Sequence, residues 1–441
     1  MPSTSDQHTA SDALPPLAED AFDVGSTEDS LTRLSDLAGR LGGIFRIHAP
    51  SRGTDTWIIN NPTDIKRVLV TRHRNFTKGI GLDRVKILLG NGIMTSEGDL
   101  WRSQRRMIQP HFHRRVVEQF AQLIEQCVDS RIALWHTLAA KGEPVDVTEE
   151  MSQLTLDIVL KSIFGRDLSW LSERLGGNPF ALVSDHSARD LQFAYKFRSL
   201  CRLVGELVEK RRAGQEEHFD LLAMLMESKD QDTGAPMTPR LLIDEAMTMV
   251  VAGHETTASA LNWTWYLLAT HPACFDALQA ELDGRPESGA LRFQEAESLH
   301  YTQAVIQEAM RLYPPGWLLS RRTIEAETLS GYTVPPGTDI MLSPYLIQRH
   351  ADYWEAPNEF RPERFMAPAN DPRDAWIYIP FAAGPRHCVG ENLAMYEMTV
   401  HIARVARRFR LEYVDDGPLD IEAAINLRTR RGLRMRLMPR A

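Results

Sequence analysis

Cysteine is scarce in this chain, which has four among its 441 residues, at positions 127, 201, 274 and 388. Their wide spacing offers no disulfide framework and fits a reducing compartment. A basic excess is also lacking, since the net charge is −9, so we expect no nucleic-acid partner. Runs of about 18 or more apolar residues are absent, and we therefore expect no membrane span.

The first 25 residues are polar and acidic, without the basic start and apolar run of a signal peptide. We predict a flexible leader over residues 1–25, one domain over residues 26–441, and a soluble cytoplasmic protein. Length alone would favour two or three domains. The apolar central helix described next favours one large core instead.

Hydrophobic periodicity predicts a mainly α fold with small β-sheets. Thr238-Pro239 is a good helix start, and His271-Pro272 a stop, so a long helix is predicted from Pro239 to about Thr270. Short strands are predicted at 44–48, 56–59, within 316–345 and beyond about Leu411. Helical patterns dominate from about Asp99 to Asp230 and resume after Cys388.

Cys388 precedes Gly390 in the stretch PFAAGPRHCVGENLA, residues 380–394, just before a predicted helix. Unpaired N–H groups and the dipole at a helix start favour an anion, and Arg386 and His387 add positive charge. We therefore expect a lowered thiol pKa and a thiolate at this position. The other three cysteines lie on apolar helix faces, where free cysteine is ordinarily a small buried hydrophobe.

Three uses of such a thiolate can be compared. A nucleophile needs a partnered histidine base, and His387 is poorly placed because adjacent residues rarely aim at one another. Zinc needs further cysteine or histidine ligands close by, and no such set surrounds Cys388. A haem iron needs only one protein ligand because the porphyrin supplies four nitrogens, so this use fits a lone cysteine best.

The pattern Phe381-x-x-Gly384-x-Arg386-x-Cys388-x-Gly390 resembles the haem-binding signature of the cytochrome P450 family. Five fixed residues at fixed spacing are a specific signal. Further motifs occur in family order over about residues 35–440, and two of them, WRSQRR and AGHETTASALNW, look most like the fatty-acid-hydroxylase branch of the soluble bacterial type.

The resemblance implies the cytochrome P450 fold, with a long central helix over haem b. It implies Cys388 as the iron ligand, with Phe381 and Gly390 beside the cofactor. It also implies a monooxygenase that inserts one atom of O2 into a hydrophobic substrate by hydroxylation or epoxidation.

Within the predicted central helix, residues 252–257 read AGHETT. Adjacent threonines are poor helix-interior choices, and a threonine hydroxyl can bond back to the carbonyl one turn earlier. Taken alone, the stretch would fit a tolerated polar patch. By resemblance, Glu255 and Thr256 are the acid–alcohol pair that relays protons when dioxygen is cleaved, and Ala252 leaves room for the oxygen.

Four residues are implied as partners of the haem propionates: Trp101 and Arg105 in WRSQR, Arg321 and Arg386. Buried carboxylates need cations and donors, which these side chains supply. Arg322 is an alternative to Arg321 that the sequence leaves open.

Glu308 and Arg311 lie three residues apart and can pair on one helix face. Alone, such a pair is most often a solvated surface pair. By resemblance they form the family's E-x-x-R pair, with Arg364 in RPERF as the third member, and hold the haem-side core together.

The substrate-facing segments implied by resemblance are 79–95, about 181–200, the central helix before Ala252, 315–320 and 425–427. Their apolar side chains favour a fatty acid or lipid-like substrate, with a terpenoid, steroid or polyketide as the alternative. Each side chain is more often ordinary core than a ligand contact. The candidates are Ile87, Leu88, Met94, Met249, Trp317, Leu318 and Leu427.

No flavin or iron–sulfur module follows the haem region, so we expect a separate ferredoxin or flavodoxin with an NAD(P)H-dependent reductase. The basic stretch RRMIQPHFHRR, residues 105–115, is either a solvated helix face or a docking surface for an acidic carrier on the cysteine side. Rival functions are a peroxide-driven peroxygenase or haem isomerase, which commonly lack the acid–alcohol pair, and a non-catalytic haem sensor or carrier.

Overall fold

The computed structural model describes residues 13–175, 180, 191–285, 291–366, 375–415 and 419–440. Its α-helices, numbered within these residues, are α1 Ser30–Leu41, α2 Pro62–Lys66, α3 Leu82–Leu89, α4 Gly98–Ile108, α5 Arg114–Val117, α6 Ala121–Ala139, α7 Val147–Phe164, α8 Asp167–Leu175, α9 Leu191–Ala213, α10 Leu221–Glu227, α11 Pro239–Thr270, α12 Pro272–Asp283, α13 Phe293–Glu297, α14 His300–Leu312, α15 Pro344–Ile347 and α16 Glu391–Ala406. Arg67–Thr71 forms a π-helical turn, and 3-10 turns occur at His73–Asn75, Gln109–Phe112, Glu118–Phe120, Pro362–Phe365 and Gly384–Arg386.

The strands are β1 Ile44–Ala49, β2 Thr54–Ile59, β3 Phe76–Lys78, β4 Val145–Asp146, β5 Leu319–Thr323, β6 Glu327–Leu329, β7 Tyr332–Val334, β8 Asp339–Leu342, β9 Phe409–Tyr413, β10 Ile421–Ala423, β11 Leu427–Thr429 and β12 Arg434–Pro439. The largest sheet has the order β1-β2-β8-β5-β3, in which β2 and β8 run parallel and the other neighbours antiparallel. The order β4-β12-β9 forms a second sheet, and β6-β7 and β10-β11 are hairpins. The fold is mainly helical with small sheets, as predicted.

Helix α11 spans 32 residues and packs along α7, α9 and α14. The Thr238 Oγ1 caps its start by accepting a hydrogen bond from the Leu241 N–H at 3.2 Å, and Pro239 occupies the first helical position. Pro272 begins the next helix, so the chain turns directly after Thr270. The bounds of α11 agree with the prediction because both ends are set by local capping chemistry.

Buried apolar side chains form one large cluster around the helices and two smaller clusters at the five-stranded sheet. The two smaller clusters lie on opposite faces of that sheet, since neighbouring residues of β2, such as Trp57 and Ile58, belong to different clusters. The large cluster includes many apolar residues of the central helix, and the single domain over residues 26–441 stays a prediction.

In the N-terminal segment, packing against the rest of the protein begins closer to the N-terminus than the sequence indicates. The Arg46 N–H donates to the Pro16 carbonyl at 2.8 Å, and the Ala18 N–H donates to the Arg46 carbonyl at 2.8 Å. Phe22 is buried, and the Arg33 guanidinium lies 3.9 Å from its ring centroid. Packing therefore begins before the expected leader boundary at residue 25, because apolar residues of this segment bury against β1; residues 1–12 lie outside the described residues.

One buried carboxylate ties the β6-β7 hairpin to the segment after α2. Glu327 accepts hydrogen bonds from Arg67 Nη2 at 2.6 Å, Arg72 Nε at 3.1 Å and Asn75 Nδ2 at 3.2 Å. Burial alone would raise its pKa, but these bonds and one from the Thr328 N–H outweigh burial and lower the pKa from 4.5 to about 2.

A depressed carboxyl pKa predicts a pH-dependent contribution to stability. The Glu327 network stabilises the folded state fully above about pH 4.5, and the contribution is lost as pH falls toward 2. We expect Glu327→Gln to lower the unfolding free energy by about 1 to 2 kcal/mol at neutral pH, discounted for the partly exposed arginines. Urea unfolding at several pH values should show this deficit shrinking below pH 4.5. Glu216→Gln, which removes a carboxylate from an exposed ion pair, is the matched control. If the loss of unfolding free energy in Glu327→Gln does not vary with pH, the lowered pKa of Glu327 is contradicted.

Candidate active site

Cys388 lies in a tight loop that closes on itself just before α16. Its N–H donates to the Phe381 carbonyl at 3.0 Å, and the His387 N–H donates to the Gly384 carbonyl at 3.0 Å. Gly384 has a φ of 71°, and a Cβ there would lie 2.1 Å from the Leu69 carbonyl oxygen. Only glycine fits this position, so the loop is held against the π-helical turn by a close backbone approach.

The Cys388 thiol is solvent-accessible, although it lies deep within the protein. Its side chain is exposed, yet protein surrounds it closely enough for burial to raise the pKa of the thiol. Its accessible surface therefore faces an interior space. N–H groups of Gly390 and Glu391 and the charge of Arg105 act in the lowering direction, but burial outweighs them. The expected lowering of the thiol pKa is thus wrong for the free thiol, whereas a coordinating cation deprotonates a thiol outright.

Arg105 lies on the cysteine side of the site. Its Nη1 donates to the His387 carbonyl at 2.6 Å, and its Nε donates to Gln109 Oε1 at 3.0 Å. The guanidinium braces the residue before Cys388. Its predicted contact with a haem propionate stays a prediction.

Three cations and one carboxylate meet beside the cysteine loop. Arg386 pairs with Glu97, and its guanidinium lies 4.4 Å from the centroid of the Trp101 ring. The backbone N–H of Lys78 donates to Glu97 Oε1 at 2.6 Å, while its Nζ donates to the carbonyls of Ile93 and Ser96 at 2.9 and 2.7 Å. Arg386 and Arg321 both act on the pKa of Lys78, which places the three cations within electrostatic reach of one another. We call Lys78, Arg321, Arg386 and Glu97 the cation cluster.

The cation cluster carries uncompensated positive charge. Burial and the neighbouring Arg386 lower the pKa of Lys78 to about 7, and the same two causes lower the pKa of Arg321 to about 10. Burial raises the pKa of Glu245, the other nearby carboxyl, to about 8, so it adds little negative charge at neutral pH. Lys78 is about half protonated at neutral pH, so the three basic side chains against Glu97 leave an excess of between about one and two positive charges, which is costly to bury.

A dicarboxylate fits this arrangement. The Arg386 Nη1 is buried and has no hydrogen-bond partner among the described residues. Two propionates would supply the missing acceptor and balance the excess charge. The cation cluster therefore fits haem, and it does so through Lys78 and Glu97 as well as the predicted Arg321 and Arg386. Sequence reasoning missed Lys78 and Glu97, because each stands singly outside any recognisable motif.

The structure separates Arg321 from Arg322. Successive side chains of β5 point to opposite faces of the sheet. Arg321 is buried with the cation cluster, whereas Arg322 donates to the Asp339 carboxylate at 2.8 and 3.1 Å. The geometry supports Arg321 as the propionate candidate.

The AGHETT stretch lies in an uninterrupted part of α11. Thr256 Oγ1 donates to the Ala252 carbonyl at 2.7 Å, the backward bond that the sequence suggests. Ala252 is exposed, although it lies in the middle of a helix that is largely buried. His254 is buried, and its Nε2 lies 2.9 Å from Ser152 Oγ. Glu255 accepts a hydrogen bond from Asn426 Nδ2 at 3.0 Å.

Glu308 and Arg311 form a fully buried ion pair. Arg311 Nε and Nη2 donate to the two carboxylate oxygens at 2.6 and 2.8 Å, and Arg364 Nε donates to Glu308 Oε1 at 3.1 Å. The same Arg311 donates to the carbonyls of residues 348, 357 and 359. Gln348 Oε1 in turn accepts from the Ile379 N–H at 2.9 Å, on the chain leading to Cys388. The structure thus joins the three predicted residues to the approach of the cysteine loop.

Comparison with known proteins decides the family. A family model for cytochrome P450 matches residues 16–175 and 192–432, most of the chain. The chain belongs to the cytochrome P450 family. It is 32% identical to cyclooctatin synthase of Streptomyces melanosporofaciens, over 80% of this chain and 79% of that protein. It is 30% identical to the chloroplastic carotene epsilon-monooxygenase of Arabidopsis thaliana, over 92% and 84%, and 29% identical to the human ultra-long-chain fatty acid omega-hydroxylase, over 80% and 74%.

Membership in the cytochrome P450 family confirms the predicted fold class and a haem cofactor held by a cysteine thiolate. Within the described residues, no three or more His, Cys, Asp or Glu side chains come together as a metal site. A haem held by one thiolate requires none. Over the same part of the chain, no helix combines the length and apolar character needed to cross a bilayer.

The predicted substrate contacts of this P450 occupy three kinds of position. Ile87 is largely exposed on α3, and Leu88, Met94 and Leu318 are half-buried. The fully or nearly fully buried candidates are Met249, Trp317 and Leu427. Trp317 and Leu427 share one core cluster. Residues 181–190 lie outside the described residues, and the substrate contacts stay predictions.

A cavity of about 470 Å³ opens on the cysteine-loop side of the P450, between α14 and α16. Its lining includes Arg114, Gln307, Phe381, His387 and Asn392, and it does not include Cys388, Ala252 or Thr256. The cavity therefore does not border these three predicted site residues. The basic stretch beside it is partly neutralised, because Arg106 pairs with Asp232 and Arg114 with Glu297.

Proposed function

We propose that this P450 binds haem through Cys388 and oxidises a hydrophobic substrate with O2. The observation that carries the assignment is the cation cluster, whose buried excess charge and unpartnered Arg386 Nη1 fit two propionates beside the cysteine loop. Haem, when bound, supplies the activation of dioxygen and the transfer of one oxygen atom. Peroxygenase and isomerase functions are disfavoured, because Glu255 and Thr256 match the acid–alcohol pair that those enzymes commonly lack.

The other roles in the reaction belong to residues of the chain itself. Gly384 and the loop hydrogen bonds hold Cys388 in place, and Arg105 braces the adjacent carbonyl. Lys78, Arg321 and Arg386 would hold the propionates of a bound haem. Thr256 and Glu255 hold and move protons on the substrate side of the central helix.

Thr256→Ala tests the proton path. The Thr256 hydroxyl donates to the Ala252 carbonyl, and a small rotation of its side chain would let it serve as a proton donor instead. We expect the alanine variant to consume NAD(P)H at a similar rate while forming about tenfold less product, within the range of general acid–base effects. Product and peroxide per NAD(P)H measure this uncoupling. Thr270→Ala removes a similar backward bond at the end of the same helix and should change nothing; unchanged coupling in Thr256→Ala would remove Thr256 from the path.

For the substrate we propose an isoprenoid, such as a cyclic terpene or a related alcohol. Support comes from relatives whose names specify cyclooctatin and carotene, and the apolar candidate contacts suit a hydrocarbon. A fatty acid is the second candidate, favoured by the WRSQRR and AGHETTASALNW stretches and by the fatty acid omega-hydroxylase relative.

A binding screen separates the two substrate classes. A substrate that displaces water from the iron changes its spin state, which absorbance reports without turnover. We expect cyclic diterpene and sesquiterpene alcohols to give saturable shifts with Kd at about micromolar concentrations, and fatty acids of matched carbon number to bind about tenfold more weakly. Tighter binding of the fatty acids would reverse the assignment.

For electron supply we propose an acidic ferredoxin that docks on the cysteine-loop face. Arg114 and Arg115 are exposed there, and the 470 Å³ cavity borders the loop that carries Cys388. Charge complementarity of this kind raises the rate of encounter.

A further inference from the structure

A side chain of the C-terminal hairpin holds the acid of the central helix. Asn426, in the turn between β10 and β11, donates its Nδ2 hydrogen bond to Glu255 Oε2 at 3.0 Å, across 171 positions of sequence. Both residues are half-buried. No sequence motif predicts this pairing, since it depends on where the hairpin lies against α11.

The turn that presents Asn426 is held at several other points. Ser259 Oγ donates to the Leu427 carbonyl at 2.6 Å, Trp263 Nε1 donates to the same carbonyl at 2.9 Å, and the Leu427 N–H donates to the Pro315 carbonyl at 3.0 Å. Glu255, Ser259 and Trp263 are spaced four residues apart and so share one face of α11. The hairpin is pinned along this face, and the Asn426 amide consequently has a defined position.

Glu255 and Thr256 point in different directions from the helix. Successive helical residues are separated by about 100° around the axis, and the Thr256 hydroxyl bonds along the helix to the Ala252 carbonyl. The bond from Asn426 is one of the contacts that hold the Glu255 carboxylate beside the turn.

We propose that Asn426 is a positioning residue that orients Glu255 for proton delivery to the reaction. This inference rests on the proton-delivery role proposed above for Glu255. A neutral amide suits the task, because one hydrogen bond orients the carboxylate without the stronger stabilisation of its charge that an arginine would bring. The turn is also part of the segment predicted to face the substrate, so one element meets the substrate and holds the acid.

A double-mutant cycle tests the inference. The variants are Asn426→Ala, Glu255→Gln and the two combined, each as the haem-loaded protein with a substrate from the binding screen. We expect Asn426→Ala to lower product per NAD(P)H by about three- to tenfold and to have no further effect in the Glu255→Gln protein. The solvent isotope effect on product formation should rise in Asn426→Ala, while the substrate-induced spin-state change and the melting temperature stay as in the wild type.

Ser259→Ala is the matched control, because it removes one bond to the same turn without touching Glu255, while Trp263 Nε1 still donates to the same Leu427 carbonyl. Coupling should be unchanged in Ser259→Ala, and equal uncoupling in both variants would show that turn structure alone matters and overturn the inference. Additive effects of Asn426→Ala and Glu255→Gln on product per NAD(P)H would also overturn the inference about Asn426, while leaving the role of Glu255 intact. If Glu255→Gln alone changes nothing, the proposed role of Glu255 fails, and the inference about Asn426 fails with it.

A readout without turnover comes from amide hydrogen exchange of residues 424–427. Asn426→Ala and Glu255→Ala should accelerate this exchange to a similar extent, and the double variant should accelerate it no further. Unchanged exchange in both single variants would show that Asn426 and Glu255 do not form this bond in solution, and the inference would fail.

Discussion

Replacing Cys388 with serine is expected to abolish the thiolate-type absorbance band of the reduced, carbon monoxide-bound protein. Product formation should fall below about 1% of the wild-type rate, equivalent to at least about 2.7 kcal/mol in the barrier. The reason is that a Cys388 thiolate bound to haem would supply electron density that favours cleavage of the O–O bond, which a serine hydroxyl would not do.

The matched control is Cys274→Ser. Cys274 is a half-buried free cysteine on α12, and burial raises the pKa of its thiol as it does for Cys388. Its replacement should leave the absorbance band and the rate intact. Retention of the band in Cys388→Ser would refute Cys388 as the haem ligand. Loss of the band in Cys274→Ser would indicate that Cys274 is needed for haem binding.

We also expect a large loss of stability when the Arg311 side chain is removed. Arg311→Ala leaves the Glu308 carboxylate buried with one remaining ion-pair partner, Arg364, and strands three backbone carbonyls. Breaking a buried pair in this way costs about 3 to 5 kcal/mol, so we expect little folded, haem-loaded protein. Arg311→Lys should recover only a small part, because one ammonium does not reproduce the planar fork of donors.

An exposed pair of the same spacing provides the comparison. Arg292 and Glu295 also lie three residues apart and bond at 2.8 Å, but at the surface. Arg292→Ala should leave the melting temperature and haem content unchanged. Equal effects of the two replacements would show that burial of the Glu308 pair contributes nothing.

Local patterns predicted a large part of this protein. The bounds of α11 follow from Thr238-Pro239 at one end and His271-Pro272 at the other, because caps act within one turn of helix. The glycine at position 384 of the cysteine motif agrees with the structure, because a backbone contact there leaves no room for a side chain. Family membership, found by comparison, agrees with the resemblance that the motifs carry.

Other features depended on distant contacts. The leader boundary was misplaced because Ala18 and Phe22 bury against a strand that the polar composition of residues 1–25 gives no sign of. The thiol pKa was misjudged because sequence shows the helix start and the nearby cations but not the depth of burial, which outweighs them.

The sequence by itself determined the family, the cysteine loop and the central helix, because these depend on short-range stereochemistry and on motifs read along the chain. Only the tertiary structure decided that Arg321 rather than Arg322 turns toward the cation cluster, that Lys78 and Glu97 belong to that cluster, and that Asn426 meets Glu255. The physical reason is that charge balance and hydrogen bonding between distant segments are set by packing, which brings together side chains that no local spacing relates.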